Sequence, residues 1–245
     1  NTPLVIHEAN ALPGMANRRA AAYASATGVA FRSALNLKNS TFVGMPLRPE
    51  VEALDPGSVR AEARRHFGLD EDTTTLLVTG GSLGAKRLNE TIDASRTVLK
   101  AAGIQVLHIM GDRSDLGEVN EPGYRRIAYC DRMDQAIAAA DFAVSRAGAS
   151  TVSEFAAVGL PAVYVPYAVG NGEQRFNVAD LVAAGGGVLV DDATFDANWV
   201  RANLVPLVSD SRAMARMAQA AADHGITDGT AHLLALTKGV LRASN

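Results

Sequence analysis

Phe142-Ala143-Val144-Ser145-Arg146-Ala147-Gly148-Ala149-Ser150-Thr151-Val152-Ser153-Glu154 is the stretch that decides the fold. An apolar strand over 141–144 runs through a glycine-hinged turn straight into the start of a helix. The first N–H groups of a helix lack internal partners and sit at the positive end of its dipole. A diphosphate placed there would be held by the backbone of Ala149, Ser150 and Thr151. Glu154, one turn in, would accept hydrogen bonds from a ribose diol. Thr151-x-x-Glu154 also fits a capping box, in which both side chains satisfy their own helix end. The segment by itself leaves both readings open.

A second junction of the same kind lies upstream. Thr74-Thr75-Leu76-Leu77-Val78-Thr79 reads as a buried strand, followed at once by Gly80-Gly81-Ser82-Leu83-Gly84-Ala85. Glycine allows close backbone approach and positive φ, Ser82 offers a hydroxyl to a phosphate oxygen, and an amphipathic helix over 85–102 stands behind the turn. The order strand, glycine turn, helix suits a Rossmann-like unit. The spacing is not G-x-G-x-x-G, however, and no acidic residue ends the next strand at 104–110, which disfavours a nicotinamide dehydrogenase.

Outward from these junctions, strands and helices alternate. Strands are expected at 74–79, 104–110, 126–129, 142–144, 162–165 and 188–190, with helices at 85–102, 133–140, 151–158, 173–184 and 198–208, then two closing helices at 212–222 and 229–242. That alternation argues α/β architecture with a parallel sheet covered by helices. Before it, a strand at 4–8, a helix at 13–25 and short strands at 29–31 and 41–43 read as the tail of another α/β unit. Gly44-Met45-Pro46-Leu47-Arg48-Pro49 between them is proline-punctuated and extended, as a connection between domains should be. The expected units are 1–45, 46–225 and a C-terminal helix over 226–245 that returns towards the first.

Composition excludes several classes. With 245 residues, 48% of them hydrophobic, the chain can bury one full α/β core with residues left over. A net charge of −3 and arginines scattered among acids give no basic stripe, so nucleic acid is disfavoured as a partner. The single cysteine, Cys130, rules out a disulfide framework and reads as a small buried side chain. The apolar run at 155–169 is interrupted by Pro161 and Pro166 and is too short to span a bilayer. The five histidines show no metal-ligand spacing, and Asp70-x-Asp72 precedes its strand, at the end opposite the glycine turns, so it reads as a solvated turn. His108, inside an apolar strand, reads as a satisfied core residue. The chain opens directly on a buried-strand pattern, and an N-terminal segment is expected to precede it.

One further loop concentrates hydrogen-bonding side chains at a helix start: Gly172-Glu173-Gln174-Arg175-Phe176-Asn177. Glu173 and Gln174 have the chemistry to read sugar hydroxyls, although polar residues also favour helix starts for their own sake.

Taken in order, Gly80 to Ala85, Ser145 to Glu154 and Gln174-x-x-Asn177 resemble the MurG family, bacterial cell-wall N-acetylglucosaminyltransferases of the two-domain GT-B architecture. His7-Glu8-Ala9-Asn10 followed by Pro13-Gly14-Met15-Ala16-Asn17-Arg18 is similar to that family's H-E-x-N segment and the helix after it. The resemblance implies transfer of N-acetylglucosamine, with inversion, from UDP-N-acetylglucosamine to a lipid-linked muramyl-pentapeptide, giving lipid II at the inner face of the plasma membrane. It implies no cofactor and no protein-bound metal. Arg48 would meet the donor diphosphate and Ser82 a phosphate. Ala149, Ser150 and Thr151, with Val152 and Ser153 behind them, would form the helix start beneath the phosphates. Cys130 would read uracil through its backbone, Glu154 the ribose and Gln174 the sugar. Asn10 would face the donor from the other unit, with Asn17 a weaker candidate. Glu173 departs from the pattern, standing where a second glutamine is common. The resemblance places the catalytic base and the membrane-facing surface in the expected preceding segment. His7 and Glu8 are the base candidates in this chain, and neither is assigned.

Overall fold

A computed structural model describes residues 2–81, 85–167 and 172–243. The chain begins with β1 (Val5–Glu8), α1 (Met15–Ala20), β2 (Ala26–Val29), a 3-10 turn over Arg32–Ala34, and β3 (Ser40–Phe42). These strands form a parallel sheet in the order β1-β2-β3. The helix expected at 13–25 is shorter because Ala22 and Tyr23 close i→i−3 bonds to Arg19 and Ala20, which tighten and end it. The second strand lies earlier than expected, at Ala26–Val29, because its register pairs Ala26 with Val5 and Val29 with Glu8.

Residues 44–48 carry no regular structure and lead into α2 (Pro49–Glu52) and α3 (Pro56–His66). Neither helix was expected from the sequence. The start of α3 carries a clear signal all the same, with the Asp55 side chain accepting from the Gly57 N–H (3.1 Å) and Pro56 in the first turn.

The larger sheet then follows: β4 (Thr75–Thr79), α4 (Lys86–Ala94), α5 (Arg96–Ala101), β5 (Gln105–Ile109), β6 (Val119–Glu121), β7 (Tyr124–Ile127), α6 (Met133–Ala139), β8 (Phe142–Ser145), α7 (Ala149–Ala157), β9 (Ala162–Tyr164), α8 (Glu173–Ala183) and β10 (Gly187–Leu189). Its order is β10-β9-β8-β4-β5-β7-β6, parallel throughout except for the antiparallel edge strand β6. That edge strand was not expected, and β7 starts earlier than the strand expected at 126–129. The single helix expected at 85–102 is two, since Ser95 bonds its hydroxyl back to the Thr91 carbonyl (2.7 Å) and breaks the ladder. Past β10, α9 (Ala197–Trp199) runs through a π-helical turn, Val200–Leu204, into α10 (Val205–Ser209). Pro206 has no N–H to offer that turn. Then come α11 (Ser211–His224) and α12 (Gly229–Ala243).

Alternation along the strands divides the core between the two faces of the sheet. β4 sends Leu77 to one side, with Phe155, Ile137 and Leu181, and Leu76 and Val78 to the other, with Leu88, Ile92 and Phe195. β4, first in sequence, lies in mid-sheet with β8 on one flank and β5 on the other. The C-terminal ends of β4 and β8 therefore flank a topological switch point, where ligands of open α/β sheets bind. Both glycine turns emerge there. α12 returns to pack on β2, with a Leu233 methyl close against Gly28. Leu233, Leu236 and Val240 are half-buried, whereas Leu234 and Leu241 stay about half exposed.

Candidate functional site

The N-terminus of α7 settles the capping question. Gly148, extended at φ −63° and ψ 143°, is the N-cap, and no side chain caps the helix. Thr151 is thus the third helical residue, and Thr151 and Glu154 do not form a capping box. Val152 N–H makes the first bond to the Gly148 carbonyl (3.0 Å), so the N–H groups of Ala149, Ser150 and Thr151 stand at the open end of the helix.

Glu154 instead meets Arg48. The guanidinium donates through Nε (3.0 Å) and approaches through Nη2 (2.9 Å), both to the same oxygen, Oε1. The Glu154 side chain is largely buried, at 11% exposure, against 45% for Arg48. Burial pushes the Glu154 carboxyl above its usual range, while Arg48 draws it back down. Arg48 reaches it from the connection between the two sheets, its carbonyl capping α2 by accepting from Val51 and Glu52.

The sequence named Gln174 and the structure shows how it is held. Its Oε1 accepts the N–H of Tyr167 (2.9 Å) and of Ala147 (3.3 Å), tying the end of β9 to the loop before α7. The amide is thereby oriented with its carbonyl inward. One turn on, Asn177 is buried and joins three segments. It donates to the Ala147 carbonyl (3.2 Å), accepts from the Ala11 N–H (2.9 Å) and approaches the Asn10 carbonyl oxygen Oδ1 at 3.4 Å. Asn177 was quoted in the motif but given no role. The signal was its spacing, since positions i and i+3 share one helix face, and here both side chains grip the Ala147 peptide. Arg146 was missed as well. Its buried guanidinium donates to the carbonyls of Val165 (3.1 Å) and Pro166 (3.2 Å) and to Asp192, locking β8, β9 and the end of β10 together.

In the small sheet, Glu8 is buried and accepts from Asn10 N–H (2.9 Å), Gly14 N–H (3.0 Å) and Asn17 Nδ2 (3.0 Å). It organises the 9–14 loop, and Asn17 spends its amide on Glu8 and the His7 carbonyl. His7 donates from Nε2 to the Gly44 carbonyl (3.2 Å). Both base candidates thus hold structural partners.

At the first glycine turn Gly80 comes close to Ala85. A Cβ on Gly80 would lie 2.3 Å from that of Ala85, and Gly81 takes φ +86° while donating to Thr79 Oγ1 (3.3 Å). Ser82 lies outside the described residues. Glu173 opens α8. Cys130 is buried on the same rim, and burial raises its thiol pKa, which disfavours the thiolate. Asp70 closes a surface turn by accepting from Asp72 and Thr73. His108 is enclosed and bonded on both ring nitrogens, to Tyr124 (2.9 Å) and Asn89 (3.1 Å). Among the described residues no helix is long and apolar enough to cross a membrane.

Residues 75–233 match the glycosyltransferase family 28 C-terminal domain. A relative from Leifsonia xyli subsp. xyli, named UDP-N-acetylglucosamine--N-acetylmuramyl-(pentapeptide) pyrophosphoryl-undecaprenol N-acetylglucosamine transferase, is 56% identical over 242 residues, covering 99% of this chain and 67% of its own. A relative of the same name from Clavibacter michiganensis subsp. michiganensis is 51% identical over 98% of this chain and 66% of its own. The crystal structure of Acinetobacter baumannii MurG superposes with a TM-score of 0.74 at 22% identity, over 97% of this chain and 67% of that one. That likeness carries the GT-B fold. The chain spans about two thirds of the length of the relatives it matches. A matching domain over most of the sequence and relatives above 50% identity across nearly all of it lead to one conclusion: this chain belongs to glycosyltransferase family 28, among the MurG-type N-acetylglucosamine transferases.

Proposed function

We propose that this chain carries the donor half of an inverting hexosyltransferase that moves N-acetylglucosamine from UDP-N-acetylglucosamine to undecaprenyl-pyrophosphoryl-muramyl-pentapeptide, forming lipid II. The names of its relatives supply the substrates. The observation that carries the reading for this chain is Asn177, which draws the Asn10-Ala11 loop of the small sheet onto the loop that feeds α7. In this reading that junction is the rim where donor-side and acceptor-side segments meet.

In such a transfer the acceptor hydroxyl attacks the anomeric carbon, and the bond to UDP breaks as negative charge collects on the diphosphate. The fixed, open N–H groups of Ala149, Ser150 and Thr151, joined by the Arg48 guanidinium, are positive groups suited to that charge, and in this reading they stabilise it without a protein-bound metal. Glu154 takes the ribose. Gln174, its carbonyl spent on Ala147 and Tyr167, presents its amide N–H groups to sugar oxygens. Cys130 offers its backbone to uracil, and Ser82 its hydroxyl to a phosphate. The base, the lipid acceptor site and contact with the inner face of the plasma membrane are assigned to the third of the relatives' length that this chain does not span.

Calorimetric titration with UDP-N-acetylglucosamine, against UDP-glucose and NADH, tests the donor assignment. Selective binding of the first is expected. Equal binding of UDP-glucose, or no binding by folded protein, refutes it. Joined to the remaining portion of the Leifsonia relative, the chain should form lipid II. A folded fusion that binds donor without turnover would leave it a binding unit alone.

A further inference from the structure

The Arg48–Glu154 pair joins two groups that the proposed function gives to different parts of the donor. Glu154 is the nearly buried member, on α7, and Arg48 is the more exposed one. Arg48's backbone is pinned by the N–H groups of Val51 and Glu52 (2.9 Å each), so its half-exposed side chain is what can swing. Nε and Nη2, the edge of the guanidinium suited to a planar anion, are both spent on Oε1. A ribose diol offers two hydroxyl donors and takes both carboxylate oxygens. A diphosphate offers the displaced guanidinium an equivalent anionic partner.

We propose that the Arg48–Glu154 ion pair is a phosphate-dependent specificity latch: the donor's ribose displaces Arg48 from Glu154, and only a ligand that also carries a phosphate gives Arg48 a new partner. A nucleoside without phosphate breaks the pair and leaves the guanidinium uncompensated. The pair therefore discriminates nucleoside diphosphates from nucleosides beyond what direct phosphate contacts supply. The proposal rests on the donor-binding reading above and adds a sign to it.

The test is titration of the wild-type chain, Arg48→Ala, Glu154→Ala and the double variant with UDP and with uridine, uridine affinity being read by competition and folding by thermal unfolding. In Arg48→Ala, UDP should bind about tenfold or more weakly, the scale of charge-assisted hydrogen bonds. Uridine should bind about two- to fivefold more tightly, the scale of a half-exposed ion pair no longer to be broken. Adding Arg48→Ala to Glu154→Ala should leave uridine unchanged. Uridine affinity that is unchanged or weaker in Arg48→Ala, while wild type binds UDP, overturns the latch and leaves the donor site standing. Failure of folded wild type to bind UDP overturns both.

Discussion

His108 makes the stability of the donor fold depend on pH, with a sign and size that follow from its surroundings. It lies on β5 with no solvent exposure. Nδ1 accepts from the Tyr124 hydroxyl (2.9 Å) and Nε2 donates to Asn89 Oδ1 (3.1 Å), while Asn89 Nδ2 donates to the Met110 carbonyl (2.9 Å). That network uses a neutral ring. Burial, with Arg126 nearby, pushes the His108 pKa down from 6.5 to about 3. Between those values the unfolded chain binds a proton that the folded chain refuses. Stability from this group is therefore complete above about pH 6.5 and is lost as pH falls towards about 3. The loss between pH 7 and 5 is about 2 kcal/mol, reaching about 3 kcal/mol by pH 4. Urea unfolding of wild type and His108→Gln from pH 7 to 5 isolates the effect, because every carboxylate contributes equally to both. Wild type should lose about 2 kcal/mol more than the variant over that range. The variant itself should be less stable at pH 7, since Asn89 and Tyr124 lose a well-placed partner. Parallel pH dependences would refute the assignment of a neutral, enclosed imidazole. Asn89 stands in α4, the helix that follows the first glycine turn, so the network also ties that helix to β5.

Glu154→Ala should weaken UDP binding by about 1.5–3 kcal/mol, read by calorimetry, and an unchanged affinity would remove Glu154 from the ribose. Asn177→Ala leaves the Ala11 N–H and Ala147 carbonyl without their partner, and should cost about 2–4 kcal/mol in urea unfolding as well as donor affinity; a loss below about 1 kcal/mol would show that the two sheets do not depend on it. Gly229→Ala would place a Cβ 2.3 Å from the Met45 carbonyl oxygen. It should destabilise by about 1–3 kcal/mol on thermal unfolding, and an unaltered midpoint would mean that α12 is not pressed against the connection.

Strand-to-helix junctions were legible because their signals are local. Buried strands are continuous apolar runs, and glycine marks each turn where the backbone must come close, as Gly80 does against Ala85. α3 escaped notice because arginine interrupts its apolar period, with Arg64 itself buried on the Ala139 carbonyl and Asp141, although Asp55-Pro56 marks its start. β6 escaped because an edge strand of three residues needs only a neighbour to pair with, and that neighbour is set by register with β7.

The site divides in the same way. Its chemical groups could be read off the chain, because a helix N-terminus, a carboxylate one turn in and an amide at a helix start are set by positions a few residues apart. The partners of those groups could not. Thr151-x-x-Glu154 fits a capping box and a ligand site equally well in sequence; the helix start at Gly148 removes the capping box, and the partner Glu154 takes, Arg48, lies 106 residues away. Asn177 reaches Ala11 across 166 residues, and Arg146 reaches Asp192 across 46. The sequence alone determined the fold class, the family and the chemistry available at the rim, since these depend on local periodicity, turn geometry and motif. Tertiary structure alone decided which donor meets which acceptor, because side-chain pairing depends on how strands order themselves in the sheet, and that order is set by burial of whole faces, not by any one segment.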